Sequence, residues 1–261
     1  MKVGFIGLGN MGSALALAVS KLADVELLLS NHHQEQVEAL QEQLGGRILS
    51  NFQMAQEADV LFLGVKPYLL SSLLDSLKEA IQENTSAVWI SMAAGVSLEQ
   101  LAQYLPISQV VRIMPNTPVA IGQGMTTYAL YNPDLATMTE YLLSQSGQVK
   151  RVDEQLIDAA TALAGCGPAF VYQWIEAMMD AGVAHGLSAD DAKYLAAQTL
   201  VGSAQMVLTS SKHPAQLRQE VTSPGGSTIA GVIRLEKEGF RYTLMSAIKA
   251  AIKRTKELGL K

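Results

Sequence analysis

A glycine-rich segment near the start of the chain constrains the fold more than any other feature of the sequence. Gly7-Leu8-Gly9-Asn10-Met11-Gly12 follows the apolar run Lys2–Ile6 and opens a helical pattern. In such a segment the first glycine permits a tight turn, the second lets backbone approach a pyrophosphate, and the third lets helix and strand pack closely. The helix N-terminus offers unpaired N–H groups to the anion. This context predicts a dinucleotide site and disfavours a glycine turn that binds nothing.

The first half of the chain alternates short apolar runs with helical patterns, as in a parallel sheet covered by helices. Most runs are apolar throughout, which is expected of strands that meet water on neither face. The predicted strands are Lys2–Ile6, Val25–Leu29, Val60–Val65, Ala87–Ser91, Val110–Met114, Thr126–Tyr131 and Gln148–Val152. The predicted helices are Gly12–Leu22, Gln34–Leu44, Leu69–Glu83, Ser97–Tyr104 and Leu135–Ser146, with Pro67 in a first turn and a capping box of Ser97 and Gln100. We predict the α/β class, with an N-terminal Rossmann-type doubly wound domain over residues 1–153.

The pattern changes at residue 154 to long Ala-, Leu- and Met-rich helical stretches, which predict an all-helical domain over residues 154–261. The stretch Ala189–Leu208 has apolar or small residues on most of its faces. This is more apolar surface than one domain of this size buries by itself. Charged residues make up only 16% of the chain, against about 25% in ordinary soluble proteins. We therefore predict a dimerisation domain in which the helices of two chains interlock.

Charge and cysteine content exclude several classes of partner. The net charge of −5 provides no basic surface for nucleic acid or anionic membranes. Apolar runs such as Ala14–Leu29 are interrupted by charge before they reach the length of a membrane span. Met1-Lys2-Val3 leads into a strand pattern rather than an export signal, and Cys166 is the sole cysteine. These features predict a cytoplasmic protein that binds neither nucleic acid nor membrane.

The end of the second predicted strand bears on the choice of cofactor. An NAD site usually places an acidic residue there to bind the ribose hydroxyls. This strand instead ends in Leu29-Ser30-Asn31-His32-His33. Hydroxyl and amide groups tolerate and donate to a 2′-phosphate, and either histidine adds partial positive charge. The sequence therefore favours NADPH, with NADH as the weaker alternative.

Several catalytic plans that use such a domain are absent from the sequence. No tyrosine has a lysine four positions later, which excludes the short-chain dehydrogenase pair. No lysine lies between Lys150 and Lys193, where 3-hydroxyacid dehydrogenases place a catalytic lysine. Four histidines and one cysteine give no ligand spacing for zinc, so no metal site is predicted.

A second loop, Ser223-Pro224-Gly225-Gly226-Ser227-Thr228, lies in the predicted helical domain. Proline and two glycines favour a tight loop, and Ser227 and Thr228 then begin a helix. Backbone N–H groups thus converge beside two hydroxyls, which suits a small carboxylate. An ordinary capped loop between two helices is the alternative reading of this segment.

Taken in order, these segments resemble pyrroline-5-carboxylate reductase, and the resemblance runs from end to end. It includes Gly7–Gly12, Val65-Lys66-Pro67, Ala93-Ala94-Gly95-Val96, Met114-Pro115-Asn116-Thr117-Pro118, Gly165-Cys166-Gly167-Pro168 and the Ser223–Thr228 loop. Cys166 departs from the serine or other small residue usual in the family, and we expect no catalytic role for its thiol. The resemblance implies hydride transfer from NADPH to the imine carbon of 1-pyrroline-5-carboxylate, giving L-proline in the last step of its biosynthesis.

The resemblance also implies roles for individual residues. The cofactor would contact Gly7, Gly9, Asn10, Met11, Gly12, Ser30, Asn31, Asn51, Val65, Lys66, Pro67, Ala93, Ala94, Gly95, Asn116, Thr117 and Pro118. The substrate would contact Ser223, Gly225, Gly226, Ser227 and Thr228, with Thr228 as the catalytic residue that orients the ring nitrogen.

The resemblance further implies a dimer, or a ring of dimers, in which one subunit's loop covers the other's cofactor. Two other functions remain open at this stage. They are a related two-domain NADP-dependent reductase of another imine or keto acid, and an NADP-binding sensor without catalysis.

Overall fold

The computed structural model describes residues 1–259 and divides the chain into two units. The first unit comprises Met1–Pro168 together with the end of the last helix from Ala250, and the second comprises Ala169–Lys249. Residues 260 and 261, which belong to the predicted helical domain, lie outside the described residues.

The first unit is built on one sheet of eight strands within the described residues. They are β1 (Lys2–Ile6), β2 (Glu26–Ser30), β3 (Arg47–Ile48), β4 (Val60–Leu63), β5 (Val88–Ser91), β6 (Val110–Met114), β7 (Gly124–Leu130) and β8 (Gly147–Arg151). Their order across the sheet is β3-β2-β1-β4-β5-β6-β7-β8, and β1 to β6 are parallel. The order reverses between β1 and β4, which confirms the doubly wound α/β fold and creates a crevice at their carboxyl ends.

One part of the sheet departs from a parallel arrangement. β7 pairs with β6 in antiparallel orientation, and β8 is parallel to β7. The link from β6 to β7 holds only a short 3₁₀ helix, Thr117–Ile121. A parallel neighbour needs a crossover of a dozen or more residues, whereas an antiparallel neighbour is reached by a short link.

The helices of the first unit cover both faces of the sheet. They are α1 (Asn10–Val19), α2 (Gln34–Leu44), α3 (Asn51–Glu57), α4 (Pro67–Ser76), α5 (Lys78–Glu83), α6 (Leu98–Leu101), α7 (Ala136–Leu143) and α8 (Ile157–Ala160), followed by a π-helical turn, Thr161–Gly165. Pro67 begins α4, and Ser97 and Gln100 form the predicted capping box at α6. The predicted helix Leu69–Glu83 is divided at Leu77, whose ψ of 3° is not helical.

Successive residues along a strand pack alternately into two hydrophobic cores, one on each face of the sheet. In β4, Val60 and Phe62 pack into one core with helix α1, while Leu61 and Leu63 pack into the other with α4. All four side chains are buried. Burying each such side chain contributes about 1.5–3 kcal/mol, so these uniformly apolar strands require helices on both faces.

The second unit is helical throughout. Its elements are α9 (Gly167–Ala184), α10 (Ala189–Thr209), α11 (Pro214–Glu220), α12 (Ser227–Lys237) and α13 (Phe240–Gly259). Ala192 and Ala196 are its buried apolar residues, whereas Val201 on α10 is 55% exposed and Leu208 is 76% exposed. The helical second domain is confirmed, and much of its apolar surface is uncovered in a single chain.

The chain passes between the units twice, each time inside a helix. Helix α9 carries it out of the first unit after Pro168, and α13 carries it back at Ala250. Thr255, in the returning part of α13, is 6% exposed. Within residues 1–259, no helix combines the length and hydropathy needed to cross a bilayer.

Candidate functional site

The turn between β1 and α1 lies at the crevice between β1 and β4. Gly7 has φ +93°, a conformation that favours glycine, and its N–H donates to the Ser30 carbonyl over 3.0 Å. A Cβ on Gly12 would overlap the Gly7 carbonyl oxygen, so helix and turn approach as closely as backbone permits. A Cβ on Gly9 would meet nothing within 4 Å. The structure thus leaves open the side of the turn where a phosphate would approach.

The first turn of α1 is free to bind an anion. Gly9 is its N-cap and provides no side-chain cap, and the first turn carries no acidic residue. Asn10 and Met11 are its first two residues. The Leu8 carbonyl accepts bonds from the Ser13 hydroxyl and the Gln36 amide, each over 2.8 Å, which fixes the preceding turn. The N–H groups of this turn and the positive end of the helix dipole suit a pyrophosphate.

A cavity of about 680 Å³ opens beside this turn, and we call it the strand-end cavity. The predicted cofactor residues that line it are Gly7, Gly9, Ser30, Asn31, Asn51, Val65 and Lys66. The other lining residues are Ile6, His32, His33, Gly64 and Leu69. The structure therefore brings together residues that follow β1, β2 and β4 with the first residue of α3.

Hydrogen bonds orient the polar wall of the strand-end cavity. The Ser30 hydroxyl donates to Asn51 Oδ1 over 2.6 Å, and Asn31 Nδ2 donates to Gln36 Oε1 over 2.7 Å. The first bond uses the acceptor of Asn51 and leaves its NH₂ group available to donate. A donor-rich wall with a lysine, and no carboxylate among its described lining residues, fits a phosphorylated nucleotide.

Gly64 is a component of this site that sequence reasoning missed. It lies directly after β4, and a Cβ there would overlap the Gly7 carbonyl oxygen. The residue that follows β1 and the residue that follows β4 must therefore both be glycine, because the turn after β1 passes against the end of β4. Its position before Val65-Lys66-Pro67 was the available signal, but its partner Gly7 becomes evident only once β1 and β4 are paired.

Ten predicted cofactor residues do not line the strand-end cavity. They are Asn10, Met11, Gly12, Pro67, Ala93, Ala94, Gly95, Asn116, Thr117 and Pro118. Ala93–Gly95 follow β5 and Asn116–Pro118 follow β6, at the same edge of the sheet. Gly95 has φ +78°, which suits the turn after β5.

The Asn116 side chain is hydrogen-bonded through both its nitrogen and its oxygen within the first unit. Its Nδ2 donates to the Ala164 carbonyl over 3.0 Å, and its Oδ1 accepts from the Met125 N–H over 2.9 Å. Asn116 is 8% exposed, whereas Thr117 is exposed. The Asn116 amide therefore joins the end of β6 to β7 and to the π-helical turn. Within that turn the Cys166 N–H donates to the Thr161 carbonyl over 2.9 Å.

The loop between α11 and α12 in the second unit has the predicted tight geometry. Gly225 has φ +70°, and the Gly226 N–H donates to the Ser223 carbonyl over 3.1 Å. Gly226 is the N-cap of α12, and this 11-residue helix has no side-chain cap or acidic residue in its first turn. Ser223, Ser227 and Thr228 are exposed. The loop presents free N–H groups beside hydroxyls, which can bind a carboxylate.

Two polar clusters hold strands β6 and β7 of the sheet to neighbouring elements. Arg112 on β6 is 3% exposed and pairs with Glu154 over 2.9 Å and with Asp158 over 3.0 Å. The Tyr128 hydroxyl on β7 donates to Glu140 over 2.6 Å. Burial, followed by the hydrogen bond to Glu140, raises the pKa of Tyr128 to about 12, so its hydroxyl stays protonated at neutral pH.

Two family models match the chain. Residues 2–95 match the NADP oxidoreductase coenzyme F420-dependent model, and residues 154–258 match the pyrroline-5-carboxylate reductase dimerisation model. The first segment contains β1 to β5, and the second contains the helical unit.

Several relatives that match almost the whole chain are pyrroline-5-carboxylate reductases. Pyrroline-5-carboxylate reductase of Pisum sativum is 39% identical, over 98% of this chain and 95% of its own. The Synechocystis protein of the same name is 40% identical, over 100% of this chain and 99% of its own. A crystal structure of Plasmodium falciparum pyrroline carboxylate reductase with NADP bound has a TM-score of 0.88 at 33% identity, covering 99% of this chain and 98% of its own. The chain therefore belongs to the pyrroline-5-carboxylate reductase family.

Proposed function

We propose that this protein is an NADPH-dependent pyrroline-5-carboxylate reductase, which reduces 1-pyrroline-5-carboxylate to L-proline in the last step of proline biosynthesis. The identity of 39–40% along nearly the whole length of reductases with this name carries the proposal. The open glycine turn and the loop before α12 provide the two binding elements that the reaction needs.

The residues of the first unit fit NADPH, which supplies the hydride when bound. Gly7, Gly9 and the first turn of α1, including Asn10, Met11 and Gly12, bind the pyrophosphate through backbone N–H groups. Ser30, Asn31 and Asn51 bind the adenosine ribose and its phosphate. The segments Val65–Pro67, Ala93–Gly95 and Asn116–Pro118 provide the remaining contacts along the carboxyl edge of the sheet. For Asn116 the contact is assigned to its backbone, because its side chain is already bonded.

The loop before α12 binds the substrate in this proposal. The N–H groups of Ser227 and Thr228 bind the carboxylate, while Ser223, Gly225 and Gly226, whose N–H already donates to the Ser223 carbonyl, shape the loop. The Thr228 hydroxyl faces the ring nitrogen and orients it. A protonated cyclic imine is the better hydride acceptor, so a group that hydrogen-bonds the nitrogen assists the charge change during transfer. The largest contribution comes from positioning the imine carbon against the hydride donor.

Self-association completes the proposed molecule. The helical domain, which the sequence pattern places at residues 154–261 after a nucleotide domain of residues 1–153 and whose central part is the second unit Ala169–Lys249, pairs with that of a second chain. The exposed apolar residues of α9 and α10, together with the family model for dimerisation, support a dimer. We extend this to a ring of dimers in which one subunit's loop covers the other's cofactor. A cytoplasmic location accords with the single cysteine, and the net charge of −5 disfavours nucleic acid as a partner.

The loss of NADPH absorbance on addition of 1-pyrroline-5-carboxylate tests the function. A six-membered cyclic imine acid and pyruvate serve as controls. Rapid turnover of the five-membered imine alone is expected. Preferred turnover of either control would indicate a related reductase, and cofactor binding without turnover of any substrate would indicate a sensor.

A further inference from the structure

The Gly165-Cys166-Gly167-Pro168 motif has no role in the proposed reaction, although it adjoins a residue of the proposed cofactor site. It lies where the π-helical turn Thr161–Gly165 leads into α9. Cys166 has φ −84° and ψ −21°, so the backbone stays helical between the turn and α9. The motif therefore marks a widened turn within a continuous helical segment.

Pro168 leaves one carbonyl of this segment without its usual partner. In a regular α-helix the carbonyl of Ala164 would accept the N–H of the residue four positions later, which is Pro168. Proline has no N–H, and its ring clashes with that carbonyl. The turn is wider instead, and the Cys166 N–H donates to the Thr161 carbonyl, five residues earlier, over 2.9 Å. Such π-helical turns occur frequently at functional sites.

The Asn116 side chain supplies the missing donor. Its Nδ2 donates to the Ala164 carbonyl over 3.0 Å, while its Oδ1 accepts the Met125 N–H over 2.9 Å. Both bonds are partly buried, so their loss would leave backbone groups poorly satisfied. A Cβ on Gly165 would lie 3.9 Å from Met114 Cγ, which shows that the turn also packs against the last residue of β6. The turn is therefore fixed to the end of β6.

We propose that Asn116 is a positioning residue for hydride transfer, which acts by holding the π-helical turn that Pro168 requires. This inference rests on the proposed function, in which the backbone of Asn116–Pro118 contacts the cofactor. The side-chain amide holds that backbone between β7 and the turn, and so fixes where the reacting end of the cofactor lies. A misplacement of about 1 Å can cost about 100-fold in rate.

Loss of this amide should slow the hydride step without greatly weakening cofactor binding. The turn Gly7–Gly9 and the strand-end cavity, whose described lining residues do not include Asn116, provide the other proposed contacts. Those contacts stay in place when the end of β6 moves. The rate should therefore fall while the Kd of NADPH changes little, a combination that general loss of structure does not produce.

The first test is a single turnover with saturating NADPH and 1-pyrroline-5-carboxylate. In Asn116→Ala the rate of NADPH oxidation should fall about 10- to 100-fold, with less than about a 3-fold change in the Kd of NADPH. The amplitude counts folded, competent protein and should match the wild type. A wild-type rate, or a loss confined to the Kd, would overturn the proposal.

Asn116→Asp separates the two hydrogen bonds and serves also if Asn116→Ala fails to fold. It has nearly the same shape and keeps an acceptor for the Met125 N–H, but it replaces the donor to the Ala164 carbonyl with an oxygen. Its single-turnover rate should fall as far as that of Asn116→Ala. A rate close to the wild type would show that the donor is not needed, contrary to the proposal.

Pro168→Ala tests whether the two motifs depend on each other. It restores an N–H that can pair with the Ala164 carbonyl, so the turn depends less on Asn116. Pro168→Ala alone should lower the rate less than about 3-fold, and Asn116→Ala/Pro168→Ala should be at least about 5-fold faster than Asn116→Ala. Additive losses in the double variant would contradict an action of Asn116 through the turn.

Asn84 provides a matched control. Its Nδ2 donates to the Ala55 carbonyl over 3.0 Å and to the Ala58 carbonyl over 2.9 Å, which joins the end of α5 to α3. Asn84 precedes β5 and so lies at the edge of the sheet opposite the proposed cofactor segments. Asn84→Ala should lower the melting temperature about as much as Asn116→Ala does but keep the wild-type rate. An equal loss of rate in both variants would mean that Asn116 is merely structural.

Hydrogen exchange provides a readout that needs no substrate. In Asn116→Ala the N–H groups of Cys166 and Met125 should exchange faster than in the wild type, and adding Pro168→Ala should restore protection at Cys166. A protein with these changes that reduces no imine would contradict the proposed function but support the role of Asn116 in holding the turn. Unchanged exchange in Asn116→Ala would overturn the inference whatever the protein reduces.

Discussion

Gly9 and Gly12 belong to the same motif, yet their surroundings predict opposite consequences for an added methyl group. At Gly12 the Cβ would overlap the Gly7 carbonyl oxygen, which is rigid backbone. At Gly9 the Cβ would enter open space, and its φ of −71° accommodates alanine. One glycine serves packing, and the other leaves room for a ligand.

Gly12→Ala should lower the free energy of unfolding by about 1–3 kcal/mol, as overpacking does. Gly9→Ala should fold with almost unchanged stability but bind NADPH at least about 10-fold more weakly, because its methyl group occupies the path of the phosphate. Thermal unfolding and NADPH fluorescence titration measure the two effects separately. Equal losses of stability in both variants would contradict this division of roles.

Thr228→Ala should reduce kcat/KM by roughly 10- to 1000-fold, equivalent to about 1.4–4 kcal/mol of transition-state stabilisation. The reason is that the exposed hydroxyl at the start of α12 is the group assigned to the ring nitrogen. Thr228→Ser keeps the hydroxyl and should recover most of the activity. Steady-state kinetics measures the effect, and NADPH binding should be unchanged in the variants. Wild-type kinetics in Thr228→Ala would contradict the assignment of this residue to the site.

The sequence allowed prediction of those site residues whose neighbours along the chain already define their surroundings. Gly7 and Gly9 are flanked by a strand and a helix, and Ser30 ends a recognisable strand. The role of Gly64 depends instead on the pairing of β1 with β4, across a separation of more than fifty residues. The shared position of His32 and Lys66 likewise arises from the sheet order, which local patterns do not encode.

Among the elements, β6 shows how one strand supports several segments. Its Arg112 is buried against Glu154, which lies just before α8, and Asp158, which lies within α8. Glu154 also accepts the N–H of Leu98, the first residue of α6. The three-residue cluster therefore connects a core strand to the segment that leads into the second unit.

Arg112→Met should lower the free energy of unfolding by about 2–4 kcal/mol, because it leaves two partly buried carboxylates without their cation. Arg47→Met is the matched control. Arg47 pairs with two carboxylates as well, but its side chain is 43% exposed, so a much smaller loss is expected. Urea unfolding of the two variants compares them directly, and similar losses would contradict the importance assigned to burial.

Elements with a uniform environment were predictable, and marginal ones were not. β4 is apolar throughout, and β5 and β6 are apolar except for Ser91 and Arg112, because both faces of these strands are buried. β3 has two residues and half-buried side chains, and it was missed. Helix α3 was also missed, although Ser50 and Gln53 form a capping box at its start. The reversal at β7 could not be predicted because apolar content does not encode strand direction.

At the scale of the whole molecule, the two units differ in how well they bury their apolar residues. The first unit has one hydrophobic core on each face of its sheet, whereas α9 has no buried residue in a single chain. Exposed apolar patches of this kind mark interaction surfaces. The low charge content thus reflects two situations, burial within one chain and burial against another.

Val201→Glu, at an exposed apolar position of α10, should convert the proposed dimer to monomer and abolish most activity, because a charge would be buried at the interface. Ile107→Glu makes the same exchange at an exposed position in the first unit and should leave the assembly intact. Light scattering after size exclusion gives the mass of each variant. A monomeric and fully active wild type would refute the shared site.

The double passage of the chain, out through α9 and back through α13, makes the helical unit an insertion within the first unit. A single proteolytic nick between the units leaves them covalently joined by the other helix. Exchanging the helical unit with that of a relative therefore requires two junctions, one near Pro168 and one near Ala250. A chimera joined only at the first junction would also replace the returning end of α13, whose buried Thr255 belongs to the nucleotide half.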